Sequence, residues 1–287
     1  MMPPMSERDA SDSDIPIWVL DTVTKPKLDH RNSVLIAASH GGIYAGYLAA
    51  RAHARGVILN DAGIGKDQAG IGSLAYLDEL GVPAATIAHI SARIGDGEDM
   101  VRRGTISYVN DAAVALDCRV GEPALSCAEK MRAAATFDDD LRPYEEARFG
   151  IRAQPGEPEV WGLDSISLLQ PEDQVRIVVA ASHGGVLAAN RAEGVALSYP
   201  VVAAVFNDAG VGADQAGISR LAAMDRTGLV GATVDCMSAW IGNARSTWES
   251  GVISHVNEGA AAFGAVPGWT CQDFVYCIID EMSRHGG

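Results

Sequence analysis

An internal repeat limits this chain more than any other feature. Ile36 to Gly42 reads IAASHGG, and Val179 to Gly185, 143 residues later, reads VAASHGG. Trp18 to Thr22 (WVLDT) and Trp161 to Ser165 (WGLDS) keep the same spacing. Asn60 to Ile71 (NDAGIGKDQAGI) then matches Asn207 to Ile218 (NDAGVGADQAGI), now 147 residues apart. That spacing persists through Ser91 to Asp96 (SARIGD) against Ser238 to Asn243 (SAWIGN). It holds again for Gly104 to Asn110 against Gly251 to Asn257. The second copy therefore has four extra residues, near Glu193 to Pro200. Five matches in one order are not accidental, and two copies of a pattern imply two copies of a structural unit.

Residues 15–131 form the first unit and residues 159–287 the second. Residues 1–14, polar and acidic, read as a disordered leader. Residues 132–158, with Pro143, Pro155, Gly156 and Pro158, read as a linker. Within the first unit Val34 to Ala38 is a short apolar, β-branched run of the kind found in buried strands. Ile17 to Val23, Val57 to Leu59 and Ala84 to Ile90 read as further strands. Tyr44 to Arg55, Ala69 to Leu80 and Glu98 to Leu116 read as helices, the last with a break at Gly104. Strands alternating with helices imply parallel sheets covered by helices. The expected fold is α/β: a tandem duplication of a Rossmann-like βαβαβα unit, with mostly parallel sheets and the copies related by a pseudo-two-fold axis.

Composition narrows the function. The net charge of -15 would repel a phosphate backbone or an anionic membrane surface, so neither nucleic acid nor membrane is an expected partner. No run of about 18 apolar residues suggests a transmembrane helix, and the N-terminus lacks the basic and apolar regions of a signal peptide. The five cysteines are scattered without metal spacing, which fits a reducing, cytoplasmic setting. A homo-oligomer is compatible with such a chain, although no interface is specified.

In parallel sheets, ligands bind beyond the carboxyl ends of the strands. The matched loops SHGG, NDAGxG and SAxIG all fall there. His40 and His183 are the only histidines at matched positions and are the natural proton shuttles. Asp61 and Asp208, ending the next strand, are their candidate partners. Gly41, Gly42, Gly184 and Gly185 open helices whose free N–H groups can face an anion. Ser39, Ser182, Asn60 and Asn207 complete the shared set. Adjacent Ser and His point to opposite faces of a strand, so no nucleophilic dyad follows. His40, Asp61, His183 and Asp208 could ligate a metal only if the copies face one another; no short-range spacing supports this, and no metal is expected.

The copies also differ. Lys66, Arg93 and Asp96 in the first stand against Ala213, Trp240 and Asn243 in the second. A guanidinium grips a carboxylate in two-pronged fashion. Lys66 and Arg93 are therefore the expected anchors for an anionic group, with Asp96 beside them and Trp240 as a flat wall opposite.

A strand ending in Ser-His-Gly resembles the histidine loop of caspase-like proteases. Here Asn60-Asp61 and Asn207-Asp208 stand where the cysteine of that family would follow, so the resemblance carries no function. The patterns GxGxxG after the first strand and GxxxxGK[ST] are absent, so no nucleotide cofactor is expected. The expected function is a small-molecule enzyme of hydrolase, lyase or isomerase type, without organic cofactor, acting on a carboxylate- or amide-bearing metabolite. A non-catalytic metabolite-binding or regulatory protein would use the same loops.

Overall fold

The computed structural model describes residues 15–24, 30–191 and 196–285. The expected leader, and part of the four-residue insertion, lie outside these. The chain is mixed α/β, with two mostly parallel sheets flanked by helices. In the first sheet β1 (Ile17–Leu20), β2 (Val34–His40), β3 (Gly56–Asn60) and β4 (Ala84–Ile87) run parallel, and β5 (Ile106–Val109) closes it antiparallel to β4. In the second, β6 (Arg148–Arg152) is antiparallel to β7 (Val160–Leu163). Then β8 (Ile177–His183), β9 (Ala203–Asn207) and β10 (Val230–Val234) run parallel, and β11 (Ile253–Val256) is antiparallel. Both orders are sequential, without the reversal that creates the ligand crevice of a doubly wound sheet.

The central strands are apolar because both their faces are covered. Alternate residues of β2 and β3 serve opposite sides. Leu35, Ala37, Val57 and Leu59 share a core with α1 (Ile43–Arg51) and α2 (Ser73–Glu79). Val34, Ile36, Ala38 and Ile58 share one with Met100 of α3 (Gly97–Arg103) and with Cys127, Ala128 and Met131. Those three lie on α5 (Ala124–Met131), which follows the short α4 (Asp111–Ala115). The second half has α6 (Ala188–Arg191), α7 (Ser219–Arg226), α8 (Ala244–Ser250), α9 (Glu258–Ala262) and α10 (Cys271–His285). Phe274, Val275, Ile278 and Ile279 bring α10 onto the second sheet. No helix among the described residues is long and apolar enough to cross a membrane.

Three readings of local structure change. Glu98 to Leu116 is not one helix. Any side chain at Gly104 would meet the Met100 carbonyl, and the alternating Ile106-Ser-Tyr-Val109 that follows pairs with β4 as a strand. Ser107 and Asn110 are therefore not neighbours on a helix. Ser107 bonds Thr86 across the sheet at 3.0 Å, and Asn110 caps α4. Ala69 to Leu80 is likewise split: a 3-10 segment, Lys66–Ile71, precedes α2 and holds Asp67 and Gln68 in the left-handed region. Finally, residues 148–152, inside the expected linker, form β6 and cover the outer edge of β7.

The NDAGxG loops meet where the two halves join. Ala62, Gly63, Ile64 and Gly65 all have positive φ, and so do Ala209, Gly210, Val211 and Gly212. A Cβ on Gly63 would come within 2.8 Å of the Gly210 Cα, and one on Gly210 within 2.7 Å of the Gly63 Cα. Lys66 N donates to Cys236 O at 2.8 Å, and Ala213 N to His89 O at 2.7 Å. Each contact recurs with the halves exchanged. Ala62, Ile94, Ala209, Ala216 and Ile241 form a small apolar core between them.

Candidate active site

The two matched histidines converge on one cavity of about 220 Å³, lined from both halves. His40 ends β2 and His183 ends β8. Each ring is oriented in the same way: Gly42 N donates to His40 Nδ1 at 3.2 Å, and Gly185 N to His183 Nδ1 at 3.1 Å. A ring nitrogen that accepts a backbone N–H carries its lone pair, so the proton of each neutral imidazole sits on Nε2. Burial pushes His40 down to about 4. His183 falls to about 3, chiefly through burial, then through the positive charge of Arg220 and through His40. Both rings are therefore neutral at pH 7 and offer Nε2–H as donor.

Against the alternation expected along a strand, the serines beside them line the same cavity, because each pair sits at the strand end, and they are similarly matched. Ser39 Oγ accepts from Val23 N at 3.0 Å, and Ser182 Oγ from Ile166 N at 2.9 Å. Gly41 and Gly184 allow the strand ends to touch the NDAGxG segments. A Cβ there would lie 2.5 Å from Gly70 O or 2.7 Å from Gly217 O.

Two charged groups among the described residues of the cavity, Glu146 and Arg220, have no charged counterpart across the repeat. Glu146 comes from the segment before β6. Burial, reinforced by the Asp164 carboxylate, raises its carboxyl to about 7. Arg220, on α7, is buried. It donates to Ala196 O and to Gly185 O, stacks over the Phe206 ring, and its Nε has no partner. Its matched residue in the first half is Ser73. No family model, curated protein or solved structure matches the chain.

The other candidate residues lie elsewhere. Asp61 Oδ1 accepts from Gly63 N, His89 N and His89 Nδ1, the last at 2.8 Å; its histidine partner is His89 rather than His40. Asp208 Oδ1 accepts from Gly210 N and Cys236 N. Asn60 and Asn207 brace their own loops, accepting from Ala62 N and Ala209 N. Lys66 Nζ bonds Ser250 Oγ at 3.0 Å, and Trp240 Nε1 bonds Asp67 at 2.7 Å, both across the seam. Arg93 pairs with Asp214 of the other half at 2.7 Å. Asp96 caps α3 and pairs with Arg191 at 2.6 Å. None of these lines the cavity.

Two groups of potential metal ligands occur among the described residues, Cys118–Glu122–Cys127 and Asp208–Asp235–Cys236. Lys130 already occupies Glu122 at 2.6 Å, burial raises the Cys236 thiol to about 12, and neither group includes a cavity histidine. Sequence reading missed Glu146 because it lies outside the repeat. It missed Arg220 although the signal was present: a Ser-to-Arg difference between copies, on a helix rather than in a matched loop.

Proposed function

We propose that the two halves are copies of one α/β unit related by a pseudo-two-fold axis. On this reading the cavity between them is the site of a small-molecule enzyme acting without an organic cofactor. The observation that carries it is that His40, His183 and Glu146 line one cavity. A carboxyl raised to about 7 exchanges protons readily near neutral pH, which suits a general acid or base. Two neutral imidazoles donating Nε2–H suit an oxygen on which negative charge develops, as in a carbonyl becoming an enolate or a tetrahedral adduct. This division of labour replaces the expected one, in which the histidines shuttle protons. It favours lyase or isomerase chemistry over hydrolysis by a nucleophile, since no cysteine among the described residues lines the cavity and both serine Oγ atoms already accept backbone N–H bonds.

The cavity volume favours a metabolite rather than a polymer. The test is a thermal-shift screen of small polar metabolites on the full chain, followed by NMR of each stabilising compound for turnover. At least one compound should be converted. Its conversion should fall at least about 100-fold in Glu146→Gln and in His40→Gln, with the fold retained. Bound compounds that are never converted would favour a second reading, a metabolite-binding protein, for which the tightly braced serines and rings are equally suited.

A further inference from the structure

Arg220 is a buried cation with no carboxylate beside it among the described residues. The ion pairs among the described residues do not include it, and its protein partners are two backbone carbonyls and the face of Phe206. A guanidinium has five N–H donors, of which these contacts use two, and Nε is left without any partner. A buried charge ordinarily needs pairing, so an unpaired one at a cavity wall points to a missing anion. The rest of the wall agrees. His40 and His183 each carry an Nε2–H donor, and the Ser182 hydroxyl, already accepting, has its proton to give.

The first half shows why the charge lies on one side only. There α1 runs nine residues and packs on α2, and a Cβ on Gly46 would lie 2.8 Å from Ser73 Cβ. In the second half Arg220 stands at the position of Ser73, and its side chain reaches from α7 to Ala196.

We infer that the cavity takes a small organic carboxylate, with its carboxylate against Arg220 and the His183 Nε2–H. The remainder of the ligand extends toward His40. This rests on the reading of the cavity as a ligand site. Among the described residues lining the cavity there is one cation, Arg220, and one carboxyl, Glu146, which matches a monoanion better than a phosphate dianion.

The experiment is calorimetric titration of the full chain with glycolate, lactate and benzoate, with their amides, and with inorganic phosphate. At least one acid should bind at least tenfold more tightly than its amide. Arg220→Gln should weaken that acid roughly ten- to hundredfold, as expected for a bond to a charged group, with the amide unchanged. Should Arg220→Gln fail to fold, Arg220→Lys retains the charge, and the acid-to-amide ratio in the native chain needs no variant. Amides binding as well as acids, phosphate binding better than every carboxylate, or an acid indifferent to Arg220→Gln would each overturn the inference while leaving the cavity a ligand site. Binding by none of these compounds would overturn both.

Discussion

The seam and the cavity use the repeat in opposite ways. At the seam each contact is answered by its mirror: Gly63 faces Gly210, and Lys66 N to Cys236 O is returned by Ala213 N to His89 O. In the cavity the Ser–His pairs and the Thr22–Thr24 and Ser165–Ser167 hydroxyls are mirrored, but the charges are not. Its charge comes from Arg220, matched by a serine, and from Glu146, which precedes β6. What the copies share therefore holds them together and supplies neutral donors. What they do not share makes the two ends of the cavity chemically different.

The largest test of this contrast is Gly63→Val against Gly210→Val. Each adds a side chain at positive φ and against a facing backbone, so each should cost upwards of about 4 kcal/mol in chemical denaturation. The two losses should be similar, and a variant tolerated on one side alone would show that the seam is not reciprocal.

Acid should act next most strongly, through the mirrored histidines. Their folded pKa values, about 4 and about 3, lie below the ordinary 6.5, so an unfolded chain takes up protons that the native one refuses. Stability is fully present above pH 6.5 and is lost as pH falls from there. The loss is on the order of 3 kcal/mol per histidine by pH 4. A double variant, His40→Asn with His183→Asn, should flatten that limb; an unchanged acid transition would mean the rings are not held neutral.

Glu146 should act with the opposite sign and more weakly, because its carboxyl is only partly buried. Its pKa is raised from 4.5 to about 7, so the native state binds the extra proton and stability falls as pH rises through that window. Glu146→Gln should gain on the native chain as pH rises from 4.5 to 7 and keep that gain above it. Equal pH profiles of melting temperature would remove Glu146 from the buried side of the cavity. The smallest effect belongs to the rim of the seam. Trp240→Phe deletes only the exposed bond to Asp67 and should change stability by no more than about 1 kcal/mol.

The central strands were legible because burial on both faces leaves an uninterrupted apolar run, as in Val34 to Ala38. His40 and His183 were legible because the repeat singles them out at strand ends. The role of NDAGxG was not. Glycines that allow a backbone to approach a ligand look the same as glycines that allow it to approach another backbone, and Gly63 meets Gly210 rather than a substrate. Arg93 and Lys66 have the chemistry of anion anchors, yet Asp214 and Ser250 from the other half engage them, a long-range pairing that no local pattern encodes. β5 is hidden in the sequence because a glycine inside a helical stretch and a glycine between two elements look alike, and Gly104 is the second kind.

The reciprocal seam also bears on how such a chain could arise. A surface that fits its own copy after a half-turn is the surface of a symmetric dimer, in which one gene supplies both sides. In such a dimer no residue can appear on one side only. Two copies of the second half would place two unpaired guanidiniums around one small void, and two copies of the first would place none. On the two-fold reading proposed above, covalent fusion removes that constraint, allowing a single positive charge on one side, and with it a preferred direction for whatever the void holds.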